Sequence, residues 1–134
     1  MCAIFGVIGE NNLKLVKKMS EVQEFRGPDK QNFLSDSELN FCIGNNRLSI
    51  IDIANGHQPM SSFDENYTIV FNGTIYNHKE LRSFLIKKGV NFKTQSDTEV
   101  FINGYAFWKE KIFNYIDGMW AVAIVDKIKN EIIL

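Results

Sequence analysis

The chain has 134 residues, which suits one globular domain, and 45% of them are hydrophobic and 13% aromatic, enough for a sizeable core. The formal net charge of −1, with both signs interspersed, argues against a nucleic-acid partner, and the N-terminal segment lacks the pattern of a signal peptide. Cys2 and Cys42 are too few for a disulfide framework, and no segment reaches membrane-spanning length. We expect a cytoplasmic protein with reduced thiols and no membrane partner.

The first half of the chain predicts strands and one helix in turn. Residues 2–9 (CAIFGVIG) form an apolar run that predicts a short buried strand. Residues 13–25 predict an amphipathic helix, because Leu13, Val16, Met19 and Val22 recur three apart. The RGPD segment at 26–29 ends this helix, since glycine and proline oppose its continuation. Strands are then predicted near residues 32–34 and 39–44, ahead of the segment 47–52 (RLSIID).

The second half alternates strong strands with capped helices. Residues 67–71 (YTIVF) and 119–125 (MWAVAIV) predict strands, and a last strand begins at 131 after a turn. Asn72-Gly73 is typical of a tight turn. Asn77 with Glu80, and Ser96 with Glu99, are spaced as capping boxes that open two helices, and Gly89 ends the first of them.

Strands outnumber helices in this pattern, and the helices are amphipathic. Sheets with helices packed outside them therefore follow, which is an α+β fold. The sequence stops one strand into a hairpin, so we expect a fold truncated at its C-terminal end.

Cys2 has a chemical option that few cysteines have. If Met1 is removed, the α-amine of Cys2 becomes free, with a pKa of about 7.7–8.0 against about 8.5 for the thiol. This amine can accept the thiol proton, so one residue supplies both nucleophile and base. Position alone does not decide this, because a free cysteine is commonly just a small apolar residue in a core. The surrounding motifs give the stronger indication.

The motifs MCAIFGVIG, RGPD, RLSIID followed by QPM, FNGTIYN followed by LR, and SDTE occur in this order across the chain. Together they resemble the glutaminase domain of asparagine synthetases, a class II glutamine amidotransferase. The resemblance implies an αββα sandwich of the N-terminal-nucleophile hydrolase type, and residues 1–134 would be the N-terminal portion of that domain. It implies that Cys2 attacks the side-chain amide of L-glutamine.

The same resemblance assigns roles to further residues. The Asn72 side-chain amide and the Gly73 backbone N–H would stabilise the tetrahedral oxyanion, a task for which each fixed donor is worth about 10²–10³ in rate. Arg47 would grip the α-carboxylate with its planar fork, and backbone groups at Ile51 would complete that wall. Asp97 would bind the α-ammonium. Without the motifs, Arg47 would be interpreted equally well as a surface residue beside a strand. Asp97 would more often be interpreted as a structural carboxylate at a helix N-terminus.

Three departures from the family pattern stand out. Thr74 replaces an acidic residue that helps to bind the substrate ammonium, so we expect Asp97 to carry more of that task and glutamine binding to be weaker. Phe25 replaces a histidine before RGPD, and Asn45-Asn46 replace a His/Arg-rich pair; these positions would shape the rim. Arg26 and Asp29 are expected to stabilise the loop near the site.

The resemblance therefore implies an enzyme that releases ammonia from glutamine for an ATP-dependent asparagine synthetase domain or subunit. This domain would need no cofactor, and ATP and Mg²⁺ would serve only the synthetase domain, which the 134 residues do not include. Two alternatives stay open: an amidotransferase serving another acceptor such as a sugar acid, and a non-catalytic truncated remnant. A homodimer is also left open. A metal or redox site has little support, since Cys2, Cys42, His57 and His78 lack ligand spacing.

Overall fold

The fold is that of a computed structural model that describes residues 2–134. Seven strands and three α-helices follow one another along this part of the chain. The strands are β1 (Ala3–Ile8), β2 (Lys30–Asp36), β3 (Phe41–Arg47), β4 (Met60–Ser61), β5 (Tyr67–Ile75), β6 (Gly118–Asp126) and β7 (Glu131–Ile133). The helices are α1 (Leu13–Val22), α2 (His78–Lys87) and α3 (Asp97–Trp108). Short 3₁₀ turns at Glu24–Arg26 and Lys109–Asn114 follow α1 and α3.

The strands form two antiparallel sheets. The first has the order β1-β3-β2, with Ala3 opposite Asn46 and Lys30 opposite Arg47. The second has the order β4-β5-β6-β7, with Gly73 opposite Trp120 in its central pair. The short β4 covers only the beginning of one edge of β5. The rest of that edge is free to contact the helices and loops around the site.

The two sheets stack face to face, and helices cover their outer faces. Side chains of both sheets form the interlayer core: Phe41, Ile43, Val70, Ala123 and Val125. The outer face of the second sheet packs on α3 through an aromatic cluster that includes Phe71, Phe101 and Tyr105. α1 lies against the outer face of the first sheet. These four layers confirm the predicted αββα sandwich.

Most predicted elements are confirmed, but the buried faces differ in detail. β1 is only half-buried, because it lies at the edge of a three-stranded sheet, where Gly6 and Ile8 remain exposed. In α1 the buried residues are Val16 and Ser20, whereas Val22 is 76% exposed. The three-residue spacing drifts around a helix with 3.6 residues per turn, so the predicted face could not hold at both ends.

Two local predictions are wrong. Asn72-Gly73 is not a turn: both residues lie inside β5, paired with Ala121 and Trp120. Asn77 precedes α2, but its side chain makes no cap bond to the helix. Its amide instead donates to the Tyr115 carbonyl and accepts the Asp117 N–H. In both cases a tertiary partner outweighs a local preference.

The other cap predictions fare better. The Ser96 hydroxyl accepts the Glu99 N–H at the start of α3, and Gly89 ends α2 with a positive φ of 89°. The Glu99 carboxylate does not complete the capping box; it accepts the N–H groups of Lys93 and Thr94. Within residues 2–134, no helix has both the length and the apolar character needed to cross a bilayer.

Candidate active site

A cavity of about 560 Å³ lies where the two sheets and the start of α3 meet. This volume lies within the usual range for small-ligand sites. The structure brings all of the predicted site residues to its walls: Cys2, Arg47, Ile51, Asn72, Gly73, Thr74 and Asp97. They come from four separate stretches of the chain, which only the fold can bring together.

Cys2 is half-buried just before β1, two residues from Ile4 of the interlayer core. Because side chains alternate along an extended strand, Cys2 faces the second sheet as Ile4 does. Its sulfur contacts the backbone of Leu48, with Leu48 N–H donating at 3.4 Å. The thiol in turn donates to the Leu48 carbonyl at 3.6 Å, so the Leu48 backbone fixes the position of the sulfur through two contacts.

The RGPD segment fixes the surroundings of Cys2, as expected. Arg26 Nε donates to the Cys2 carbonyl at 3.2 Å, and the Asp29 carboxylate accepts the Ser49 N–H at 2.7 Å. A Cβ on Gly27 would clash with the Asn46 carbonyl, so only glycine fits there. Both charged residues therefore position backbone around the thiol.

The edge of β5 supplies a row of N–H groups to the cavity. Phe71 N–H donates to Gln58 Oε1 at 2.6 Å, and Ile75 N–H donates to Asp97 Oδ2 at 3.0 Å. In an antiparallel strand, the backbone groups of every second residue point to the same edge. Gly73 lies midway between these two residues, so its N–H points to the same edge, beyond the end of β4.

The side chains of Asn72 and Thr74 point to the face of β5 opposite that of Phe71, because side chains alternate along a strand. Val70, two residues before Asn72, packs between the sheets. Asn72 and Thr74 therefore face the first sheet, the side from which Cys2 approaches. Among residues 2–134, no hydrogen bond engages the Asn72 amide. The amide is thus free to donate into the cavity.

Asp97 is 5% exposed, at the first position of α3. Burial raises the pKa of its carboxyl, and the hydrogen bond from Ile75 N–H and the nearby His78 oppose the rise. The helix N-terminus also favours the carboxylate form. A buried carboxylate with spare acceptor capacity is suited to a cation such as an ammonium group.

Arg47 is buried at the end of β3, and its guanidinium holds the loop that follows. One terminal nitrogen donates to the carbonyls of Ile51 and Asp52, at 3.0 and 2.7 Å. The other donates to the carbonyl of Ile53 at 3.1 Å and contacts His57 Nδ1 at 3.4 Å. Both terminal nitrogens of Arg47 therefore donate to the loop, so Arg47 shapes the cavity wall.

A second link fastens the same loop to α3. The Asp52 carboxylate accepts the Gln95 N–H at 2.6 Å and the Asn55 N–H at 3.2 Å. The Gln95 bond is the largest cause of the lowered pKa of Asp52. Asp52 itself has a φ of 47°, so the turn bends sharply at this residue. The loop wall thus lies against the segment that carries Asp97.

Gln58 was not among the predicted site residues, although it lines the cavity and is 5% exposed. Its place in the QPM motif was a signal, but the motif does not say what its amide contacts.

Neither histidine hydrogen-bonds Cys2 within the described chain: His57 contacts Lys30 and Arg47, and His78 contacts the Ile75 carbonyl. Residues 2–134 contain no cluster of three acidic, cysteine or histidine side chains placed to hold a metal ion.

Comparison of the sequence with known proteins identifies the family of the chain. The family model described as glutamine amidotransferase domain matches residues 1–134. The chain is 42% identical to glutamine-hydrolysing asparagine synthetase 1 of Bacillus subtilis, over 95% of this chain and 21% of that protein. It is 35% identical to a putative glutamine-hydrolysing asparagine synthetase of Methanocaldococcus jannaschii, over 98% of this chain and 27% of that protein.

A solved structure shares the fold. Glutamine phosphoribosylpyrophosphate amidotransferase from Bacillus subtilis superposes with a TM-score of 0.71 at 16% identity, over 95% of this chain and 35% of that one. The present chain thus spans about a fifth to a quarter of these two asparagine synthetases. The match over its whole length shows that it belongs to the glutamine amidotransferase domain family.

Proposed function

We propose that this chain hydrolyses L-glutamine to L-glutamate and ammonia, with Cys2 as the nucleophile. The observation that carries the proposal is the convergence of Cys2, Asn72, Gly73, Arg47 and Asp97 on one cavity. They supply a nucleophile, two oxyanion donors and groups for both ends of an amino acid. The stability of the fold alone does not require these five residues to line one cavity, whereas glutamine hydrolysis does.

The reaction follows from the chemistry of the N-terminal residue. Once Met1 is removed, the Cys2 α-amine takes the thiol proton, and the thiolate attacks the side-chain amide carbon of glutamine. Asn72 and the Gly73 N–H stabilise the oxyanion. The α-ammonium of Cys2 returns the proton to the leaving nitrogen. The C–N bond of the amide breaks, and ammonia departs, leaving a thioester between Cys2 and the glutamyl group. Water then attacks the thioester, and glutamate and the free thiol are released.

Substrate binding divides between two walls of the cavity. The Asp97 carboxylate binds the α-ammonium of glutamine, since it is buried and has acceptor capacity left. The loop that Arg47 holds, including the backbone at Ile51, receives the α-carboxylate, and Arg47 adds its positive charge. Thr74 lines the same cavity without a charge, so Asp97 carries most of the ammonium binding.

The ammonia then serves a synthetase domain or subunit. The relatives are named glutamine-hydrolysing asparagine synthetases, which supports aspartate as the acceptor. In our proposal, ATP and Mg²⁺ are needed on the synthetase side alone. This half of the reaction needs no cofactor in our proposal, and we place it in the cytoplasm. Another acid, such as a sugar acid, is the second candidate acceptor, because the glutamine-binding cavity would be the same for both.

A glutamine-analogue electrophile tests the proposal directly. 6-Diazo-5-oxo-L-norleucine should alkylate Cys2, and intact mass spectrometry should show the loss of Met1 together with a single adduct. Cys2→Ala should abolish the adduct and glutamine hydrolysis. Cys42→Ala is the matched control, because Cys42 is fully buried and burial raises the pKa of its thiol.

The control should leave both the adduct and glutamine hydrolysis in place. A folded chain that has lost Met1 but takes up no adduct would show that the domain is a non-catalytic remnant. An adduct on Cys42 alone would contradict the assignment of Cys2 as nucleophile.

A further inference from the structure

Gln58 is a buried polar residue that the proposed reaction does not use. Its side chain is 5% exposed and bridges two elements of the active site. Oε1 accepts the Phe71 N–H of β5 at 2.6 Å, and Nε2 donates to Thr98 Oγ1 of α3 at 3.3 Å. A buried amide with both ends engaged is costly to disturb, because each broken bond leaves an unsatisfied polar group.

The position of Gln58 along β5 is informative. β4 pairs with the start of β5: its first residue, Met60, lies opposite Ile69, and Ser61 lies opposite Thr68. Gln58 precedes β4 and satisfies the next N–H on that edge with a side chain. A continuing strand would have covered the following N–H as well, which belongs to Gly73. Within the described chain, the Gln58 side chain therefore completes the edge at Phe71, and Gly73 lines the cavity beyond it.

On the other side of Gly73, the Asp97 carboxylate accepts the Ile75 N–H on the same edge of β5. Gly73 thus lies between two fixed points of the edge. Both points are tied to the first turn of α3, since Asp97 and Thr98 are adjacent residues there. The edge and the helix cannot shift relative to each other without breaking one of these bonds.

We infer that Gln58 is a positioning residue that holds the Gly73 N–H at the distance from Asp97 that glutamine requires. The inference rests on the proposed function of the same cavity. The Gly73 N–H meets the oxyanion at one end of the substrate, and Asp97 meets the ammonium at the other. Small displacements of such groups have large effects on rate.

The decisive comparison uses two reactions of the same thiol. Hydrolysis of glutamine passes through an oxyanion, whereas alkylation of Cys2 by iodoacetamide displaces iodide and forms none. Gln58→Met removes both hydrogen bonds at similar length. We expect kcat for glutamine to fall by about tenfold to a hundredfold, and the rate of iodoacetamide alkylation of Cys2 to change by less than about twofold.

Three further variants separate positioning from general destabilisation. Gln58→Glu keeps an acceptor for Phe71 and can accept the Thr98 hydroxyl, so it should recover most of kcat. Thr98→Val breaks only the link to α3, so it should raise KM more than it lowers kcat. Gln31→Met is the matched control at an exposed glutamine of β2, and it should behave as the wild type.

The outcomes distinguish this inference from the proposed function. An active wild type with unchanged kcat in Gln58→Met overturns the role of Gln58 alone, as does an equal fall in both reactions. If Gln58→Met does not fold, unchanged KM and kcat in Thr98→Val overturn the role instead. A processed wild type without glutamine hydrolysis overturns the proposed function, and the inference with it.

Discussion

Asp97 shows how a single residue can be placed for binding at a cost to the fold. Its carboxyl is buried at the start of α3, and only one N–H from β5 donates to it across the cavity. Burial raises its pKa because the charged form loses hydration that these contacts do not fully replace. A cation stabilises such a group, and in the proposed reaction the α-ammonium of glutamine would be that cation.

The substitution Asp97→Asn tests whether the buried charge of Asp97 destabilises the fold. Asparagine keeps an acceptor for the Ile75 N–H but carries no charge. Because the folded-state pKa of Asp97 is raised, its contribution to stability is present below the unfolded pKa of about 3.9 and is lost as pH rises through the folded value. We expect Asp97→Asn to have a higher Tm than the wild type at pH 7, with the difference vanishing toward about pH 3.5, measured by thermal unfolding.

The same variant should bind glutamine worse by about tenfold or more, because the ammonium loses a charged partner. KM for glutamine hydrolysis measures this loss. A variant that is less stable than the wild type at neutral pH would contradict burial as the origin of the raised pKa. An unchanged KM would remove Asp97 from substrate binding.

At the scale of elements, the loop at residues 48–56 forms the cavity wall between β3 and β4. It contains no helix or strand, and two side chains hold its central residues in place. Arg47 gathers its carbonyl groups, and Asp52 attaches it to Gln95 ahead of α3. A Cβ at Gly56 would lie 2.7 Å from Arg47 Nη2 and 3.0 Å from the Asp52 carbonyl oxygen, so a larger residue there would displace the guanidinium. The wall is therefore built around one arginine.

Arg47→Lys tests whether the arginine acts through the loop. A lysine keeps the charge but cannot reach several carbonyls from a planar fork. We expect KM for glutamine to rise by about tenfold or more, and amide hydrogen exchange in residues 48–56 to accelerate with it. Lys127→Arg is the comparison variant, because Lys127 also donates to a backbone carbonyl, that of Glu65 outside this loop, and it should leave exchange in residues 48–56 unchanged. A raised KM with unchanged exchange in the loop of Arg47→Lys would mean that Arg47 contacts the substrate without shaping the wall.

Elements with a strong periodic pattern could be predicted from the sequence, and elements decided by a distant partner could not. β6 and α3 follow their hydrophobic runs and, for α3, the Ser96 cap. Asn72-Gly73 has the composition of a turn, yet β6 lies alongside and continues the strand through it. A Cβ on Gly73 would clash with the Met119 carbonyl. The glycine therefore allows close approach of β6, which a turn prediction cannot anticipate.

At the scale of the whole molecule, the active site depends on how the two sheets stack. Cys2 belongs to the first sheet's side of the cavity, and Asn72 and Gly73 belong to the second sheet. The motifs identified these residues, but their spacing along the chain says nothing about their distance in space. Gln58 could not be found in this way at all, because its proposed role depends on where β4 begins. Because Cys2 lies on the first sheet's side and Asn72 and Gly73 lie on the second sheet, the interlayer core sets the separation between the proposed nucleophile and the proposed oxyanion donors.

Two matched core substitutions test this dependence. Ile43 packs between the sheets, whereas Ile112 packs behind the C-terminal end of α3, far along that helix from Asp97. Both are almost fully buried, so Ile43→Ala and Ile112→Ala should each lower the free energy of unfolding by about 2–5 kcal/mol.

Only Ile43→Ala should also slow the alkylation of Cys2 by 6-diazo-5-oxo-L-norleucine, by about tenfold, at a temperature where both variants are folded. The reason is that a cavity between the sheets lets them approach or slide, and the thiol then leaves its place opposite Asn72 and Gly73. A cavity behind α3 moves neither wall of the site. Equal slowing in the two variants would mean that labelling follows overall stability, and the interlayer core would then lose its role in setting the geometry of the site.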